Sequence, residues 1–170
     1  IEFFEIKNLA IINENIRELL NGVDLQSIEI YLPDLSRVIE ILDPEKQRIN
    51  SFYVYDSYSD ELKELRKIIR LGSDYNEEHL YRAATIEQKI REELAVKLMS
   101  FSEMLDHSLH TLAKIDILLA KVQQMENWHL SIPTIAETKN NYQQLFNPEV
   151  NDILNKKGDK FQPIGIEFET

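Results

Sequence analysis

The chain of 170 residues contains no cysteine, which excludes a disulfide framework, a cysteine zinc site and a thiol nucleophile. It has only 4 glycines, too few for a turn-rich all-β fold or for a glycine loop cradling phosphate. No apolar run approaches the roughly 20 residues that span a bilayer. Positive charge is in short supply: 19 basic against 30 acidic residues leave a net charge of −11, which disfavours a bare duplex-DNA surface. A signal-peptide pattern is also missing, and the opening at Ile1 without Met reads as an excised piece of a longer protein. These absences point to an acidic, cytoplasmic domain without a membrane partner. A hydrophobic fraction of 43% is ample for a packed core.

The pattern that is present is helical. Phe3, Ile6, Leu9, Ala10, Ile12, Ile16, Leu19 and Leu20 recur at helical spacing ahead of Gly22. A shorter helix is predicted from Asp34 to Leu42, with Leu35, Val38, Ile39 and Leu42 inward and Asp43-Pro44 as its stop. Arg48 through Tyr58, rich in aromatic and β-branched residues, predicts a short extended ribbon laid on helices. Ser59 then caps a helix that Gly72-Ser73 interrupts.

From Glu77 to Glu126 apolar residues follow steps of three and four, from Ile90 and Leu94 to Leu119 and Val122, with no Gly or Pro before Pro133. That spacing predicts one very long helix, or two nearly collinear ones, of about 60–75 Å. A globule of this size has a radius of gyration of only ~15 Å, so such a helix would protrude as a rod or pair with another. Residues 141–170 read as a connector feeding a final strand, Ile164 to Phe168, with no partner. The expected fold is therefore all-α and elongated: a helical domain over 1–140, a minor β-ribbon, and a terminal strand opening a further domain.

Catalytic patterns are hard to find. His107 and His110 share a helix face near Glu103 and Asp106, but HExxH is absent, and His79 and His129 lie far off in sequence. Glu77-Glu78 and Glu92-Glu93 are adjacent and so point to different sides of a helix. No nucleophile motif accompanies any serine. Lys63, Arg66, Lys67 and Arg70 form a positive stripe that reads either as a phosphate or partner contact or as a solvated face neutralised by Asp60 and Glu64. Asp116 sits in the apolar seam and predicts a buried, partnered carboxylate with a structural role.

Three segments carry a resemblance. Ala113-Lys-Ile-Asp-Ile-Leu-Leu-Ala120 resembles the stretch that closes the lever helix of MutS-family DNA mismatch-repair ATPases. Ile41-Leu-Asp-Pro44 followed by Asp56-Ser57 and Ser59-Asp-Glu-Leu-Lys-Glu-Leu-Arg66 is similar to a core segment of the same family. Asn147-Pro-Glu-Val150, Phe161-Gln-Pro163 and Ile166-Glu-Phe168 resemble the approach to its ATPase domain. The resemblance covers about Leu32 to Phe168, with 15 or so residues from Leu71 to Ile86 where the family carries its DNA clamp.

It implies a non-catalytic core/lever fragment, not itself an enzyme, that couples nucleotide state to DNA binding in a parent protein for DNA repair or recombination control. ATP and Mg would be cofactors of that parent and none of this fragment, which lacks a Walker A motif. The partners implied are the chain's own ATPase domain and, through the parent, DNA, with homodimerisation left open. Phe161 matches the family's adenine-stacking Phe, although Gln162 and Ile164 depart from the pattern, and an ordinary packing role stays open beside it. The alternative is a free-standing helical scaffold or dimerisation module that binds partner helices; a small helical enzyme with an unfamiliar site is a third reading.

Overall fold

In a computed structural model, residues 2–24, 29–72, 76–135 and 137–169 are described. In chain order these residues form α1 (Phe3–Leu19), α2 (Ser36–Leu42), a 3-10 turn (Asp56–Tyr58), α3 (Asp60–Leu71), α4 (Glu77–Met99), α5 (Ser102–Trp128), β1 (Lys139–Leu145), α6 (Pro148–Lys157) and β2 (Ile164–Glu169). They divide into two compact units, Ile1–Asp116 and Ile117–Thr170, with the boundary inside α5. No helix among the described residues is long and apolar enough to cross a membrane.

The single long helix is not formed. Its span is two helices of 23 and 27 residues, broken at Ser100 and Phe101. At the break Ser100 Oγ donates to Lys97 O at 2.9 Å, the kind of side-chain back-bond that bends a helix. The Phe101 N–H bonds Leu98 O at 2.9 Å, a 3-10 step, and the α-pattern restarts when Leu105 N–H reaches Phe101 O. Neither Gly nor Pro was required for the break, so a search for those breakers passes over it.

The first unit is built by burying the inner stripes of its helices. Ala10 of α1, Leu35, Val38, Ile39 and Leu42 around α2, and Leu98 at the end of α4 form one apolar cluster. Leu62 and Leu65 of α3 with Ala83, Ile90 and Leu94 of α4 and Val54 form a second. Phe3 and Phe52, edge to face with centroids 5.0 Å apart, pack against both clusters and join them. Each fully buried Leu here contributes on the order of 1.5–3 kcal/mol. The inward set predicted for α2 is the one observed, and Ser59 caps α3 through Leu62 N–H as expected. Gly72 closes α3 at φ 70, a left-handed geometry that disfavours any side chain; Ser73 lies outside the described residues.

Two further expectations are corrected. Residues 48–55 form no strand. Lys46 and Arg48 adopt positive φ, and the carbonyls of Ser51 and Val54 accept side-chain donors, Lys7 Nζ and Arg66 Nη1, instead of pairing with a neighbouring strand. The final strand does have a partner: β2 pairs antiparallel with β1, Tyr142 opposite Ile166 and Asn140 opposite Phe168. The register slips between Tyr142 and Leu145, where Gln144 takes φ 56. The sequence of β1, Lys-Asn-Asn-Tyr-Gln-Gln-Leu, has little strand propensity apart from Tyr142.

In the second unit α6 starts on an Asn147 cap with Pro148 in its first turn and ends at Gly158. No described residue of this unit is buried, and its packing rests on aromatic contacts: Trp128 with Phe146, Phe146 with Phe161, and Tyr142 stacked on Phe168.

Candidate functional site

The densest buried polar chemistry surrounds Asp43, which directly follows α2. Its position there is dictated by Pro44, which cannot continue a helix and leaves the carboxylate free to organise the next turn. Asp43 is 1% exposed. Its Oδ1 accepts from Gln47 N–H at 3.0 Å and from the Tyr55 hydroxyl at 2.9 Å, while Oδ2 accepts from Arg48 N–H at 2.7 Å. One side chain thereby closes the turn over residues 44–48 and holds the segment that follows.

Other donors fasten the same segment. Lys7, buried on α1, donates to Ser51 O at 2.5 Å. The Tyr58 hydroxyl donates to Ile41 O at 2.6 Å. Arg66 of α3 reaches Val54 O at 2.7 Å, Asp56 Oδ1 at 2.5 Å and Glu87 Oε1 of α4 at 2.7 Å. Tyr53, Tyr55 and Tyr58 pack on one another, with centroids 4.3 and 5.9 Å apart along the row. The result is an extended segment clamped by α1, α2, α3 and α4.

Electrostatics follow from that clamp. Burial by itself would raise the Asp43 carboxyl, but the bonds from Arg48, Tyr55 and Gln47, with the Lys7 charge, hold it below the usual carboxylate range. Burial lowers the Lys7 ammonium, an effect that the Asp43 charge only partly offsets. Burial and the bond to Asp43 push the Tyr55 hydroxyl up, and burial with the Asp43 charge does the same to Tyr58. Burial would lower Arg66, yet its bonds to Asp56 and Glu87 raise it. Each of these side chains has a partner within the protein, so the cluster locks the segment in place.

A second buried network lies where α1 meets α5. Asn13 Nδ2 donates to Pro33 O and Asn13 Oδ1 accepts from Ser108 Oγ, both at 2.8 Å. His107 Nε2 lies 3.1 Å from Tyr31 O, on the segment leading into α2.

The residues singled out from the sequence do not converge. Arg66 is withdrawn from the positive stripe, since its guanidinium turns inward to Asp56 and Glu87. Lys63, Lys67 and Arg70 remain exposed, Lys67 beside Glu64 at 3.6 Å and Arg70 beside Asp56 at 3.8 Å. Asp116 is exposed, not buried. In the first unit the less exposed face of α5 runs through Met104, Leu105, Ser108, Thr111, Leu112 and Ile115, and Asp116 lies off it. Polar Ser108 faces inward to meet Asn13, while Leu109 and Leu119 are exposed.

Phe161 is half-buried against Phe146, centroids 6.5 Å apart. The histidines stay separate: His79 joins Asn76 in a reciprocal cap on α4, and His110 bonds Asp106 on its own helix. No group of three or more metal-ligating side chains occurs among the described residues. Lys7, Asn13, Asp43 and Tyr55 were not anticipated. A legible signal for the first two existed, because Lys7 and Asn13 interrupt the inward stripe of Phe3, Ile6 and Ala10.

No family model, no curated protein sequence and no solved structure matches this chain.

Proposed function

We propose that this chain serves as the helical core of a MutS-like protein, a non-catalytic element through which the nucleotide state of an ATPase is coupled to DNA binding elsewhere in the parent. One observation carries the reading. The segments that resemble that family's core, Ile41 to Pro44, Asp56-Ser57 and Ser59 to Arg66, are bonded into a single block by the Tyr58–Ile41, Tyr55–Asp43 and Arg66–Asp56 contacts. A block clamped at so many points moves as one body when a neighbour pushes it, which is what a coupling element requires. The coupling element on this reading is the clamped block, since the strut is broken at Ser100. With a net charge of −11, the chain leaves phosphate contact to other regions of the parent.

The test compares two proteins. The product of the whole reading frame containing this chain hydrolyses ATP with Mg, and duplex DNA changes the rate several-fold; the 170-residue chain alone hydrolyses none. Asp43→Asn in the longer protein reduces the DNA response while sparing the basal rate. Absence of ATP hydrolysis by the longer protein, or turnover by the short chain, defeats the proposal.

A further inference from the structure

A groove of about 680 Å³ runs between α1 and the α4–α5 junction. Its floor is apolar, with Phe3, Ile6 and Leu98 reaching toward the core and Met99 and Leu109 left 71% and 52% exposed. Its polar rim is acidic, Glu5 on one side and Asp106 on the other, and no Lys or Arg lines it. Leu105 and Leu109 of α5 line it together with Phe3, Ile6 and Leu9 of α1. Exposed apolar surface rimmed by charge of one sign marks a contact surface for a complementary partner.

We propose that this groove receives an amphipathic helix from another protein, its apolar stripe seated on Met99 and Leu109 and its flanking Lys or Arg side chains facing Glu5 and Asp106. A helix laid along two others offers anchors at i, i+3, i+4 and i+7, which suits a floor made of two helix faces. Charge selects against a second copy of this chain: each carries −11, and apposed grooves would bring rim carboxylates together without a cation among them. The inference stands apart from the MutS-like reading, since neither needs the other.

The probes are two synthetic helical peptides of about 16 residues with the same leucine stripe, one flanked by Lys and its twin by Glu. Fluorescence anisotropy with the full chain is expected to show the Lys peptide binding at least about tenfold more tightly than the Glu twin. The double variant Met99→Asp/Leu109→Asp abolishes binding while retaining the helical circular dichroism of the parent, because both side chains are already exposed. Its added carboxylates would strengthen any non-specific attraction, so loss of binding reports the groove itself. Glu5→Gln/Asp106→Asn, which preserves the α1 cap, brings the two peptides close to equal affinity. Equal binding of both peptides to the unaltered chain overturns the proposal, as does no binding of either, or binding that persists in the double Asp variant. Sedimentation showing a dimer that the double Asp variant dissolves assigns the groove to a second copy and also overturns it.

Discussion

Replacing Asp43 by Asn keeps the shape of the side chain and removes its charge. The buried carboxylate accepts three hydrogen bonds, from Gln47, Arg48 and Tyr55. An Asn can present its oxygen to Gln47 N–H and the Tyr55 hydroxyl, but its amide then meets the Arg48 N–H donor head-on. A hydrogen bond to a charged group is worth about 1.5–3 kcal/mol, and the two retained bonds lose that charge assistance. Lys7 also loses the negative charge that offsets its burial. Together these predict a loss of about 2–4 kcal/mol, and a Tm lower by about 4–16 °C at 2–4 °C per kcal/mol for a chain of this size.

The assay is thermal and urea unfolding followed by far-ultraviolet circular dichroism and by the near-ultraviolet signal of the packed tyrosines. It carries a pH signature. Because the folded carboxyl is held below its ordinary value, the unfolded chain binds the extra proton first. The stabilisation is therefore complete above the ordinary carboxylate pKa of about 3.9 and disappears as pH falls through the lower folded value. The gap between the parent and Asp43→Asn should narrow over that acidic range. A loss below about 0.5 kcal/mol at neutral pH, within the range of an unremarkable surface change, refutes the clamp, and so does a gap indifferent to acid.

Three more outcomes follow from the same geometry. Arg66→Met costs about 1.5–3 kcal/mol, and Arg66→Lys restores less than half, because one ammonium cannot present a planar fork to Asp56, Glu87 and the Val54 carbonyl; chemical denaturation measures both. Asn13→Ala costs about 1–3 kcal/mol by stranding Ser108 and the Pro33 carbonyl, and Asn13→Ala/Ser108→Ala costs less than the sum of the single changes in a double-mutant cycle. Tyr55 and Tyr58 have folded hydroxyls pushed up, so the stability they supply is whole below about pH 10 and is lost as pH climbs beyond it. An alkaline absorbance titration should show them ionising only as the protein unfolds, and ionisation in step with the exposed tyrosines contradicts their burial.

The absence of breakers between Gly72 and Pro133 suggested a strut, and the chain divides there all the same, at Ser100 and Phe101. In the ribbon expected over 48–58, side chains of two helices, Lys7 of α1 and Arg66 of α3, take the main-chain acceptors Ser51 O and Val54 O. The helix break involves neighbours three residues apart, whereas the donors that reach the 48–58 segment come from residues 44 and 12 positions away. The cluster at Asp43 was legible only as a helix stop, and Arg66 only as one cation in a stripe. Their partners stand 12 and 21 residues away, at Tyr55 and Glu87.

Periodicity and chain chemistry, which act over a few residues, determined the helical character, the inner face of α2, the Ser59 and Gly72 boundaries of α3 and the acidic surface. Tertiary packing alone decided the rotation of α5 about its axis, the burial of Lys7 and Asn13 and the pairing of β1 with β2. The physical reason is that a helix stripe or a strand edge is chosen by whichever partner satisfies its buried polar groups, and that partner exists only once the chain has folded back on itself.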